Sequence, residues 1–224
     1  MTGPEPGSGP IGGSGAGSDT GAPEQSSDTS RLETFSDGVL AIAITLLILE
    51  VRVPPDVPGR DLGRAVLHQW PSYAGYAVSF LTIGVIWVNH HHMFKLIART
   101  NHPFLMINVV FLMAIAFLPW PTTLVADYIR DPDGRRVAAV VYGLTMVAVA
   151  VMFCVVWFYA SWRGRLLNGE LDREALNRTY RSYLLGPVVY GSAVVIALFA
   201  PLVSLAIYAA LAVYWLLPGT GPRA

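Results

Sequence analysis

The chain has 224 residues, of which 54% are hydrophobic and only 13% charged, and its mean hydropathy is +0.49. So little polar material cannot cover one water-soluble globule, which argues against a soluble enzyme. Fifteen basic residues balance fifteen acidic ones, so no net field attracts a polyanion and nucleic-acid binding lacks its electrostatic basis; the single Cys154 excludes an internal disulfide framework.

Residues 1–30 are almost entirely Gly, Ser, Pro, Thr, Asp and Glu, a composition that buries too little apolar area to offset the entropy of ordering. They read as a disordered cytosolic tail. With no basic and apolar leader pattern the stretch is not a signal peptide. Ser30 and Glu33 have capping-box spacing, which predicts a helix starting near Arg31.

Six apolar segments follow, over 32–52, 69–92, 104–126, 137–162, 181–199 and 202–217. The second, third and fourth are long enough, at about 1.5 Å per residue, to cross a hydrocarbon core of about 30 Å. The stretch from Tyr183 to Leu217 is too long for one span, and Pro201 offers the break, with Pro187 expected to kink the fifth helix. The reading is an all-α membrane protein with six transmembrane helices per subunit, a channel domain over 31–217 and a short C-terminal tail over 218–224. Placing the N-terminus inside puts nine Lys and Arg residues on the inner side against six outside, dominated by the loop from Arg163 to Arg181. Both termini are therefore expected in the cytosol.

The first segment is the unusual one. Only twelve uncharged residues separate Asp37 from Glu50, about 20 Å of helix, which is shorter than the membrane core. Carboxylates at that depth are costly against lipid, so this helix belongs inside a bundle or beside water, unless the bilayer thins around it. Ile42, Leu46 and Leu49 fall on one stripe, which reads either as helix packing or, if several copies ring an axis, as a hydrophobic constriction. On its own Thr45 is expected to donate to the Ala41 carbonyl one turn back.

Arg31 and Asp37 point about 240° apart and cannot simply pair. The inward-running second helix brings Asn89, His90, His91 and His92 to the depth of Asp37, so an Asp-to-His contact is expected there, as a structural tie or a protonation switch. Three successive histidines diverge by about 100° each and cannot converge on one metal ion, and no Walker loop, dinucleotide fingerprint, GxSxG or HExxH occurs. No metal, cofactor, enzyme activity or soluble protein partner is inferred.

The run Arg31-Leu-Glu-Thr-Phe35-Ser36-Asp37, opening a first membrane helix, resembles the RxxxFSD signature of the endolysosomal potassium channels of the transmembrane protein 175 family, particularly its short bacterial members. The resemblance extends through Trp87-Val-Asn89-His90-His91 and the six-helix layout. One copy of the signature implies a homotetramer, where animal members carry two six-helix repeats. The resemblance further implies a central pore lined by four copies of helix 1, with Ile42 at the narrowest ring, Leu46 and Leu49 adding rings outward, and Thr45 as a hydroxyl layer near the permeating potassium ion. Arg31, Phe35, Ser36 and Asp37 are implied to join Asn89, His90 or His91 in a network that sets this helix. No TVGYG filter is present, so carbonyl-cage selectivity is excluded. The expectation is a potassium-favouring cation leak channel in a bacterial plasma membrane. The alternatives are a proton-coupled secondary transporter, against which the lack of an inverted repeat speaks, and a non-conducting scaffold.

Overall fold

A computed structural model describes residues 3, 21–164, 166, 167 and 173–216. The first helix, α1, runs over Gly21–Leu46 and passes into a short 3-10 turn at Leu47–Glu50. It begins ten residues before the expected start. No Ser30–Glu33 capping box forms, because the helix continues upstream and Glu33 is engaged elsewhere; the Ser30 carbonyl instead accepts from the Thr34 hydroxyl at 2.9 Å. The remainder of the expected tail, apart from Gly3, and the expected tail over 218–224 lie outside the described residues.

After a short helix α2 (Leu62–His68) come α3 (Trp70–Lys95), α4 (His102–Ala116), α5 (Pro119–Tyr128), α6 (Pro132–Ser161), α7 (Arg173–Phe199) and α8 (Pro201–Tyr214). Proline stands at the start of α3, α4, α5, α6 and α8, where its missing N–H costs nothing. Asn101 and Asp131 cap α4 and α6 by accepting from the amides of Phe104 and Gly134, each at 3.0 Å. The third apolar segment is divided into α4 and α5 because Pro119 and Pro121 interrupt the ladder of amide donors. Ala200 separates α7 from α8 at the expected point before Pro201, and the Ser204 hydroxyl ties α8 back to the Ala193 carbonyl at 2.8 Å. Pro187 lies within the continuous α7.

Among the described residues, five stretches, Asp28–Glu50, Trp70–Lys95, His102–Tyr128, Pro132–Ser161 and Thr179–Phe199, are long and apolar enough to cross a membrane. The sixth expected span is α8, whose 14 residues make about 21 Å, less than a hydrocarbon core. Large apolar side chains such as Met113, Phe117, Val195 and Phe199 are exposed around the bundle, an outward-facing apolar surface suited to lipid. Inside, Phe104, Phe111, Val156 and Trp157 share one buried core with Leu40 and Leu47 of the first helical stretch, and α1 packs against α3 and α4.

Candidate functional site

The geometry of α1 follows from its sequence period. Leu32, Ser36, Leu40, Ala43 and Leu47, spaced three and four residues apart, are buried against the bundle. The opposite face, including Arg31, Phe35, Gly38, Ile42, Thr45, Leu46 and Leu49, is exposed along the whole helix. Ile42 is 60% exposed, Leu46 42% and Leu49 68%, so the three residues of the expected stripe do share one uncovered face. Leu49 keeps its line with Leu46 because the helix tightens to 3-10 geometry there, in which residues three apart eclipse. The Thr45 hydroxyl donates to the Ile42 carbonyl at 2.9 Å and not to Ala41, since the helix is about to tighten and the carbonyl three residues back comes within reach.

A chain of hydrogen bonds braces the buried face. The Ser36 hydroxyl donates to the Leu32 carbonyl at 2.8 Å, leaving its oxygen to accept from the Asn108 amide nitrogen at 2.9 Å. That orients the Asn108 oxygen toward Nε2 of His90, 3.2 Å away, and so places the imidazole proton on Nε2. Ser36, His90 and Asn108 are fully buried, and the His90 ring stacks on Phe94 and Phe111. Each link therefore runs in a low-dielectric interior, where a missing partner is expensive.

A second pair of contacts lies nearer the surface. Asp37 accepts from the indole Nε1–H of Trp87 at 2.9 Å, and Glu33 pairs with Nδ1 of His91 at 2.8 Å. The rings of Trp87 and His91 stack at 6.0 Å, so Glu33 and Asp37 of α1 are held by two neighbouring rings of α3. The expected Asp37-to-histidine contact is thus corrected: Asp37 takes the indole, and the histidine goes to Glu33 one turn earlier. Arg31 and Phe35 are exposed on the uncovered face, and Arg31 has no hydrogen bond or ion pair among the described residues. Asn89 also lies outside the network, on the face of α3 that lines a cavity against α6 and α7.

The sequence reading missed Glu33, Trp87 and Asn108. Asn108 carried a signal, being an amide within the otherwise apolar run of α4, where a polar group needs a partner. The capping-box spacing of Glu33 from Ser30 masks its role as the partner of His91.

These features define a polytopic helical membrane protein whose first helix is held by buried polar contacts and presents an uncovered apolar face. Residues 31–119, which contain α3, α4 and most of α1, match the family described as Endosomal/lysosomal potassium channel TMEM175. A potassium channel of Streptomyces collinus is 43% identical over 189 residues, 84% of this chain and 91% of that protein. One of Chamaesiphon minutus is 42% identical over 198 residues, 88% and 97% of the two chains. The crystal structure of a lysosomal potassium-selective channel TMEM175 homolog from Chamaesiphon minutus matches with a TM-score of 0.77 at 40% identity, over 84% of this chain and 96% of that one. The chain belongs to the TMEM175 family, whose members are ion channels and not enzymes.

Proposed function

We propose that the protein is a potassium-favouring cation leak channel in which α1 of four subunits surrounds a central pore. The carrying observation is the uncovered face of α1, continuous from Arg31 to Leu49, on a helix whose other face is locked into the bundle. A single subunit leaves that face open; four copies around an axis cover it and bring Ile42, Leu46 and Leu49 into successive rings. An ion crossing the Ile42 ring sheds water without receiving an oxygen ligand, so this ring limits flux by dewetting. Thr45 lies between the rings. Its hydroxyl proton is committed to the Ile42 carbonyl, so the oxygen lone pairs are what the pore receives, which favours a cation at that level. The names of the two potassium channels above support potassium as the principal ion.

Both termini are assigned to the cytosol on the loop charge count, with the short α8 completing a sixth crossing where the bilayer thins, and the protein is assigned to a bacterial plasma membrane. The network through Ser36, Asn108 and His90, with the Trp87 and His91 contacts, serves to hold the angle of α1. Purified protein in potassium-loaded liposomes tests the reading. Passive potassium efflux that proceeds without a proton gradient is the expected result; efflux that requires such a gradient would establish coupled transport, and none at all a scaffold.

A further inference from the structure

Four helices of the subunit converge on a half-open cavity of about 100 Å³, away from the uncovered face of α1. Its walls come from helical stripes: Thr82 to Asn89 on α3, Met146 to Phe153 on α6, and Ser182 to Tyr190 on α7, with Trp215 beyond the end of α8. The cavity exists because α6 and α7 pack closely on one another, while α3 packs against α1, α5 and α8. Gly186 widens the wall beside Ala150.

The chemistry of the lining is selective. None of the residues that line it is charged, so neither a cation nor a phosphate finds a counter-ion there. Yet the lining is not purely apolar. The Asn89 carboxamide and the Tyr190 hydroxyl have no hydrogen-bond partner among the described residues, and the Thr82 hydroxyl gives its proton to the Val78 carbonyl at 2.8 Å, leaving its oxygen able to accept. Polar groups at membrane depth are costly without a partner, and apolar walls such as Val149 and Phe153 hold water poorly. A molecule with an apolar body and one hydrogen-bonding end satisfies both.

We infer that this cavity is a binding site for a small uncharged amphiphile, an apolar body bearing a terminal hydroxyl or amide. Its volume of about 100 Å³ accommodates a body of roughly four heavy atoms, judged against an apolar protein cavity of about 150 Å³ that binds benzene. The site is separate from the pore, and its occupancy is read without measuring conduction, so its failure leaves the channel reading untouched.

The probe is a short-chain alcohol carrying a photoreactive diazirine, applied to full-length protein in lipid nanodiscs and mapped by mass spectrometry. The expected result is saturable labelling of Tyr183 or Tyr190, displaced by excess unlabelled alcohol, with non-saturable labelling of the exposed Met113 as the lipid-facing reference. Gly186→Leu fills the cavity, and its Cβ meets Ala150 at an ordinary 3.5 Å; labelling of α7 should fall at least about tenfold. Tyr190→Phe keeps the ring and removes the hydroxyl, and should raise the half-saturating concentration by about three- to tenfold. Labelling of α7 that rises linearly with probe, tracks Met113 and ignores both substitutions would show partition into lipid and overturn the proposal. A cavity that stays unlabelled would overturn it equally, as a site holding water alone.

Discussion

The amide nitrogen of Asn108 lies 2.9 Å from the hydroxyl of Ser36, which joins α4 to α1 across 72 residues of sequence and only six residues from Ile42. Asn108 also accepts from His90, so one side chain satisfies two others in a fully buried setting. Asn108→Leu therefore leaves His90 and Ser36 each short of a partner, and should cost about 2–4 kcal/mol, from roughly 1–3 kcal/mol per unsatisfied group with partial relaxation. Thermal unfolding in detergent checks this, and an unchanged midpoint would show that the network does not brace α1.

The Asp37–Trp87 contact predicts coupling between α1 and α3. Trp87→Phe and Asp37→Ala should each destabilise the protein, and the double variant should lose less than the sum by about 1 kcal/mol, because the second change has no bond left to break. Asp37→Ala should likewise harm assembly more than ion preference. Denaturation of these proteins gives the coupling, size-exclusion chromatography the assembly, and the reversal potential of Asp37→Ala the ion preference.

The close approach of α6 and α8 rests on Gly143. A Cβ there would stand 2.0 Å from the Tyr208 hydroxyl and 2.6 Å from a Val194 methyl group, so Gly143→Ala should cost about 1–3 kcal/mol in forced displacement. The Tyr208 hydroxyl is buried and has no hydrogen-bond partner among the described residues, so Tyr208→Phe alone should be nearly neutral. Added to Gly143→Ala, it should recover part of the loss. Melting temperatures of the three variants decide the matter.

Much of this architecture is legible in the sequence because bilayer length and helical period constrain it strongly. The apolar runs, the break at Pro201 and the shared face of Ile42, Leu46 and Leu49 follow from counting residues. The partners of the polar side chains do not. Asp37, Glu33, Trp87 and the three histidines were all visible, but which acid meets which ring depends on the rotation and offset of α1 against α3, and no residue spacing encodes that. Helix starts were equally uncertain: Ser30 and Glu33 had the spacing of a cap, yet the helix runs back to Gly21. Asn89 and His90 are adjacent in sequence but about 100° apart around α3, so one turns to a cavity and the other to Asn108.

The assigned topology gives a chemical test. In a Cys154→Ala background, a cysteine placed in the N-terminal tail should resist a membrane-impermeant thiol reagent in intact cells, while one in the loop after Glu50 should react. Reaction of the tail from outside would reverse the orientation.

Ile42 and Ile44 distinguish the proposed pore face from the packing face. Ile42 is exposed on α1, whereas Ile44 is partly buried against the core, about 200° around the helix. Ile44→Asn should reduce the yield of folded protein. Ile42→Asn should leave folding intact and replace an apolar ring by amides that can ligate an ion, raising unitary current several-fold and weakening the preference for potassium over sodium. Paired bilayer recording of Ile42→Asn and the parent, under potassium on one side and sodium on the other, tests this most directly. A larger current with its reversal potential shifted toward zero is the predicted result; currents and reversal potentials identical to the parent would show that α1 does not form the constriction.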